Sequence, residues 1–382
     1  MPPRPDAAPV DLDPSAVLTH RLAAHGLTSR AAEPAGLAVL ALGVQDSPPG
    51  ALRAALSARL GEPLSPDDDL TAGGTLTLVW SHRGAPHLHR TAELAQLAAA
   101  SWPRDDADAL ARLGWQRKRL TEAGVSGDAA YREVAEAVAD VLARGTVTKS
   151  ELSTAVTGRI TPTLSPWCGP CDTHHVAEQL LRLAALPGGA RLRPGSRPLT
   201  FEAIPDWPGI PDAPAPNGPL QAAVRALFAG ASAADVAGFL GTAVGFVTAG
   251  QPAGLVPVRV GGRAGLATPS QVEQVRAGGP APSQPRLLPP SDPWLQARDR
   301  ELIVPDERAR TQVWRPLGSP GVVLSGVEAV GVWRTRQRGR GLQVTVEGFR
   351  TLRRAERTGL DAEAERLRTV RGATTVTVEV AA

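Results

Sequence analysis

The stretch Leu42-Gly43-Val44-Gln45-Asp46-Ser47-Pro48-Pro49-Gly50 limits most strongly what this chain can fold into. An apolar, helix-like run from Gly36 to Leu42 precedes it, and a second run from Ala51 to Leu60 comes after it. Proline lacks an N–H and restricts the residue before it, so two consecutive prolines cannot continue a helix. The chain must therefore pass between two helices through a short, stiff elbow that carries Gln45 and Asp46. A polar pair on such an elbow has little freedom of its own and suits action on a ligand. The same residues also fit a plain helix start, with Asp46-Ser47 as cap and a proline in the first turn.

Similar punctuation recurs along the 382 residues, which include 36 prolines and 39 glycines. A chain of this length can bury several cores. Residues 1–13 read as a disordered tail. Pro14-Ser15 opens a helix to about His25, and after the elbow and the Ala51–Leu60 helix, Thr75 to Trp80 has strand propensity. A turn at Arg83-Gly84-Ala85-Pro86 leads back through His87-Leu88-His89-Arg90. Helices followed by strand, turn and strand spell a winged helix over residues 14–100. Residues 101–204 repeat helices and wing at a coarse level, with Val134, Val138, Val141 and Leu142 forming an apolar helix stripe. Residues 205–219 read as a Pro-rich linker. Residues 220–277 read as a third unit whose wing holds Leu255 to Arg263. Short strands with one intervening helix, Arg350 to Arg368, dominate 286–382. The expected fold class is α+β, with tandem winged helix-turn-helix units followed by a small β-rich C-terminal domain.

The run ALGVQDSPPGALRAALSARL resembles the opening of the AlkZ/YcaQ-type winged-helix family. These are bacterial DNA-binding proteins whose characterised members are DNA glycosylases acting on alkylated bases and interstrand crosslinks. Arg83, Gly84 and His87 resemble the family's Arg-Gly-x-x-His wing. Asp292 to Arg300 resembles its entry into the C-terminal domain. The family carries a Gln-x-Gln or Gln-x-Asp motif at the elbow. Gln45 matches the first member, Ser47 stands where the second falls, and Asp46 is acidic one position early. The resemblance implies hydrolysis of the N-glycosidic bond of alkylated or crosslinked purines, with Gln45 and Asp46 as catalytic residues. It implies double-stranded DNA as partner and neither a metal nor an organic cofactor. A non-catalytic winged-helix DNA binder, regulator or damage binder, remains the alternative.

The charge pattern points towards nucleic acid as well. Formal net charge is +3, and Lys118 and Lys149 are the two lysines among 41 basic residues. Arginine binds phosphate through a planar fork, although a GC-rich genome gives the same bias. Arg334, Arg336, Arg338 and Arg340 occupy alternate positions, and residues 334–354 hold seven arginines against one acid, Glu347. Extended, they present one basic face to a phosphate backbone or protect an exposed strand edge. Arg83, with His87 and His89 on one face of the first wing, joins the expected DNA-binding set.

Trp167-Cys168-Gly169-Pro170-Cys171 spells the thioredoxin active-site sequence, but no apolar strand and no βαβ pattern precede it. Cys168, Cys171, His174 and His175 include zinc-type donors. Adjacent histidines on a helix diverge by about 100°, so only one joins the cysteines and a fourth ligand is lacking. The reading adopted for this stretch is a core Cys168 with the histidines on a helix surface; a thiol- or metal-responsive DNA binder is the third alternative. Without a basic n-region, an apolar h-region or an 18-residue apolar run, the expected setting is cytoplasmic and nucleoid-associated, as a monomer.

Overall fold

A computed structural model describes residues 8–122 and 124–381. The chain forms two compact units. One comprises Met1–Asp68, Ala222–Val236 and Pro252–Ala382, and the other comprises Asp69–Gln221 and Ala237–Gln251. These boundaries differ from the consecutive segments expected: residues 14–68 and 69–100 of the expected first winged helix fall in different units.

In the first unit, Val10–Leu12 is a strand and pairs parallel with Val256–Val260. Val256–Val260 in turn pairs antiparallel with Arg263–Ala267 around Gly261-Gly262, both at positive φ. Residues 10–12 are thus no tail. Leu12 packs with Val17, Val258, Val260, Val272 and Val275 in one apolar cluster. Residues 1–7 of the expected tail lie outside the described residues. Asp13 caps the Pro14–Ala24 helix by accepting from the Ala16 N–H at 2.8 Å. The run from Gly36 to Leu42 forms a 3₁₀ turn over Ala38–Ala41 rather than an α-helix. Leu37, extended at φ −71° and ψ 126°, separates this turn from the one over Pro34–Gly36, and Gly43 at φ 77° ends it.

The C-terminal part of this unit is a five-stranded sheet among the described residues. Its order is Arg286–Leu288, Gly321–Ser325, Glu328–Arg338, Gly341–Gly348, Thr375–Ala381. The first four run antiparallel in succession, and the last returns parallel through the Arg354–Val370 helix. Val323, Trp333, Val344, Val346, Leu360 and Leu367 fill the space between helix and sheet. Gly341–Gly348 alternates and buries Leu342, Val344 and Val346 on one face, whereas Arg286–Leu288 and Gly321–Ser325 are buried along nearly their whole length.

The second unit carries a sheet in which Pro86–Arg90, Leu76–Trp80, Ala190–Leu192, Thr200–Ala203 and Val147–Thr148 lie side by side in that order. The Gly127–Leu142 helix buries Val134, Val138, Val141 and Leu142, the stripe expected from their spacing. Thr148 and Glu151 form the capping box that opens Lys149–Thr157. The Pro-rich segment 205–219 is pinned rather than loose. Trp207 Nε1 donates to the Pro187 carbonyl at 3.1 Å, and the Ala215 N–H donates to the Ala99 carbonyl at 3.0 Å. No helix among the described residues is long and apolar enough to cross a membrane.

Candidate active site

The elbow is built as the prolines require. Val44–Gln45 is a two-residue strand, and the following helix begins only at Ala51. Its N-cap is Gly50 at φ 82°, and no side chain caps it. Asp46 therefore has no role as a helix cap. A second contact fixes the turn: Arg371, at the end of the Arg354–Val370 helix, donates from Nη1 to the Pro49 carbonyl at 3.1 Å. Gly50 lies against this guanidinium in a left-handed conformation that L side chains rarely adopt, and an added Cβ would lie 2.6 Å from Nη1 and displace it. Arg371 is not evident in the sequence as a partner of the elbow, because 322 residues separate it from Pro49.

Both polar residues of the elbow are half-buried. Gln45 Nε2 donates over a long 3.5 Å to the Ser47 carbonyl. Burial raises the Asp46 carboxyl above the ordinary carboxylate range, opposed by the positive charge of Arg53. Arg53 itself is held by the carbonyls of Ser65 at 2.7 Å and Asp68 at 2.6 Å. A carboxyl raised in this way is suited to exchange a proton nearer neutrality than a solvated one. Ser47 is exposed.

Two buried ion pairs tie the Pro14–Ala24 helix and the turn after the Ala51–Ser57 helix to the segment Asp292 to Arg300. Arg59 binds Asp292 through two hydrogen bonds, 2.7 and 2.8 Å, with both side chains fully buried. Arg21 binds Asp299 in the same way at 3.1 and 2.7 Å. In this segment, read from the sequence as the entry into the C-terminal domain, Asp292 and Asp299 carry these long-range contacts. Arg300 lies over the Trp314 ring at 4.9 Å. The signal in the sequence was the pair of aspartates beside a tryptophan, which favours burial.

The arginine run lies where alternation predicted. Arg334, Arg336 and Arg338 are exposed on one face of the Glu328–Arg338 strand, and Arg340 is exposed in the following turn. Arg334 is opposite Thr345, Arg336 opposite Gln343 and Arg338 opposite Gly341, so no acid faces them across this pairing. Pairing with the preceding strand ends at Gly321–Trp333, so residues 334–338 also form an edge. Alternate strand positions are about 6.8 Å apart, roughly two nucleotide rises along one DNA strand.

The first wing differs from its expected role. His87 and His89 do share a face, but they are 3% and 1% exposed rather than turned to a duplex. His82 joins them, with ring centroids 5.7 Å from His87 and 5.9 Å from His89. His87 Nδ1–H donates to the Ala85 carbonyl at 2.9 Å, and Ser81 Oγ lies 3.0 Å from both His87 Nδ1 and His89 Nε2. Burial first, then neighbouring positive groups, holds His82 and His87 well below the usual imidazole range. Arg83, at φ 57°, donates to the Phe239 carbonyl and lies over the Phe239 ring at 5.3 Å. Arg83, His87 and His89 are therefore packed within the second unit, whereas Gln45, Asp46 and the arginine run belong to the first.

The Cys168 region also departs from expectation. Trp167–Cys168 and Thr173–His174 pair as a two-stranded ribbon, and the next helix starts at Glu178. Cys168 is half-buried rather than in the core, and His174 and His175 precede the helix. Asp172 at φ 50° reverses the chain and prevents an earlier helix start.

A family described as "DNA glycosylase AlkZ-like" matches residues 39–370. The fold is similar to that of the DNA glycosylase AlkZ of Streptomyces sahachiroi, with a TM-score of 0.72 and 20% identity over 96% of this chain and 99% of that one. No curated protein matches the chain. The family match spans the elbow, both compact units and the arginine-bearing sheet, and on that extent the chain belongs to the AlkZ-like DNA glycosylase family.

Proposed function

We propose that this protein binds duplex DNA and hydrolyses the N-glycosidic bond of alkylated or crosslinked purines, as a monofunctional glycosylase. The observation that carries the reading is the Asp46 carboxyl: half-buried, raised by burial, not a helix cap, and held on an elbow clamped by Arg371. An N-alkylated purine is already cationic and leaves with the bonding electrons. The sugar left behind becomes oxocarbenium-like. The Gln45 side-chain carbonyl directs its dipole at that charge or holds the attacking water, and Asp46 accepts the water's proton as it adds to the sugar carbon. The exposed arginines 334, 336, 338 and 340 supply phosphate contacts. We take the helix and wing segments as tandem winged helices that position the duplex, and the protein as a cytoplasmic monomer acting on the nucleoid. Ser47, exposed at the second motif position, favours one other reading, a damage binder without chemistry.

The test is incubation with DNA carrying N7-alkylguanine, followed by alkaline cleavage at abasic sites. Gln45→Ala is expected to lower excision by roughly ten- to a thousandfold with little change in DNA affinity. Asp46→Asn is expected to lose a comparable amount. If the wild-type protein binds DNA yet releases no base from alkylated or crosslinked substrates, the chemistry is excluded and the damage-binder reading takes its place.

A further inference from the structure

All the cysteine in this chain sits in one place. Cys168 and Cys171 are its two cysteines, and the ribbon brings His175 to them. One sulfur from each cysteine and one ring nitrogen of His175 lie within 4.8 Å of one another. We propose that Cys168, Cys171 and His175 bind a zinc ion, with a water in the fourth position. The site lies within the second unit and is independent of the elbow chemistry.

Three features of the ribbon support it. The 3₁₀ turn Gly169–Cys171 closes the Cys-Gly-Pro-Cys loop, with the Asp172 N–H donating to the Gly169 carbonyl at 3.2 Å. This fold-back turns the second sulfur towards the first. The His175 backbone N–H donates to the Pro166 carbonyl at 3.3 Å, which anchors the third donor beside the ribbon. Finally, His175 Nδ1–H donates to the Val176 carbonyl at 2.8 Å. That bond fixes the tautomer and leaves Nε2 as the ring nitrogen turned to Cys168, the orientation that ligating histidines generally show.

The size fits as well. Zinc bonds of about 2.3 Å to sulfur and about 2.0 Å to nitrogen put tetrahedral ligands a little under 4 Å apart, so small side-chain rotations close the present spread. The set is soft, two thiols and an imidazole, which favours zinc over magnesium or calcium. Cys168 is already drawn below the usual thiol range, chiefly by its hydrogen bond with His175, while the bond to Cys168 raises Cys171. Metal binding displaces the shared protons.

Among the described residues, His174 is not in the group of converging donors. Its Nδ1 is 2.9 Å from the Ser165 carbonyl, and its ring packs edge-on against Trp167 at 5.2 Å. Glu178, whose charge is felt at Cys171 and His175, is tied to Lys149 at 2.9 Å and Arg182 at 2.7 Å, and no acid of the described residues joins the three donors. The remaining coordination position is therefore left to water. Beside the donors lies a cavity of about 320 Å³ lined by Leu113, Leu120, Leu164, Trp167 and Leu180. The ribbon itself has only two residue pairs, Trp167–His174 and Cys168–Thr173. A metal at its turn stabilises that ribbon and one wall of the cavity.

Cobalt(II) titration of the metal-free, reduced full-length protein tests the proposal. One equivalent of cobalt should give thiolate-to-metal charge transfer in the near ultraviolet and tetrahedral visible bands, and zinc should abolish both. Cys168→Ser and Cys171→Ser are each expected to weaken binding by at least about a hundredfold, and His175→Ala by at least about tenfold. His174→Ala should leave the spectrum unchanged, and circular dichroism should show that every variant is folded. Absence of the bands in the folded wild type overturns the proposal, and so does loss of the bands in His174→Ala but not in His175→Ala. A Cys168–Cys171 disulfide persisting in the protein under reducing conditions, with no metal taken up, would assign the pair to redox chemistry instead.

Discussion

Two β-ribbons rich in basic residues look alike in the sequence and differ in the structure. The ribbon of Leu76–Trp80 and Pro86–Arg90 carries Arg83, His87 and His89. The ribbon of Glu328–Arg338 and Gly341–Gly348 carries Arg334, Arg336 and Arg338, with Arg340 at its turn. Period-two spacing puts each set on one face. In the first ribbon that face is covered, and Ser81, His82 and Phe239 pack against it. In the second it is open. The difference lies in charge. Imidazole gives up its proton and enters a core as a neutral, hydrogen-bonded ring, whereas guanidinium stays charged and is buried where a carboxylate or backbone carbonyls meet it, as Asp292 meets Arg59 and the Ala231 carbonyl meets Arg225. Alternation tells which residues share a face; desolvation decides which face can be covered.

Four experiments press on this contrast. The largest effect is expected from forcing a permanent charge into the covered face. His87→Lys leaves a buried ammonium without a carboxylate and should destabilise the second unit by about 3–5 kcal/mol in chemical denaturation. A loss below about 1 kcal/mol would mean that the face opens easily.

The open face is expected to respond in affinity and not in stability. Replacing Arg334, Arg336 and Arg338 together by alanine should weaken duplex binding about a hundredfold near physiological salt and lower the salt slope by about 2.7. A melting temperature that falls along with affinity would show that these arginines support the fold as well.

Acid distinguishes the ribbons further. His82 and His87 have folded values depressed below the ordinary 6.5, so the unfolded chain binds more protons than the folded one below that pH. Stability is therefore full above about pH 6.5 and falls as pH drops beneath it, by about 1.4 kcal/mol per pH unit for each such imidazole. His20 and His25 in the first unit are lowered too, with His25 wholly buried, and add to the slope. Urea denaturation between pH 7 and 5 reads the effect, and His87→Gln should make it shallower. A slope unchanged in that variant would place the acid sensitivity elsewhere.

The smallest expected change is for one arginine. Arg336→Ala should weaken binding severalfold, uniformly across DNA sequences, and lower the salt slope by about 0.9. A loss confined to certain sequences would instead mark base readout.

By itself, the sequence determined the features that local chemistry dictates. Pro48-Pro49-Gly50 forces an elbow because proline has no N–H to donate and fixes its own φ. The stripe Val134, Val138, Val141 and Leu142 makes a buried helix face, and the C-terminal part is legible as short strands with one intervening helix. The arginine face comes from the same alternation, and the resemblance at the elbow pointed to the family. Tertiary structure decided whatever depends on residues distant in sequence. Only the fold brings Arg371 onto Pro49, Arg59 to Asp292 and Arg21 to Asp299. Only the fold turns Val10–Leu12 from an apparent tail into a strand beside Val256–Val260. The histidines of the first wing show the reason most directly. Their shared face is fixed by strand geometry, but whether water or protein meets that face depends on Phe239, some 150 residues further on, and burial is a property of everything that packs there.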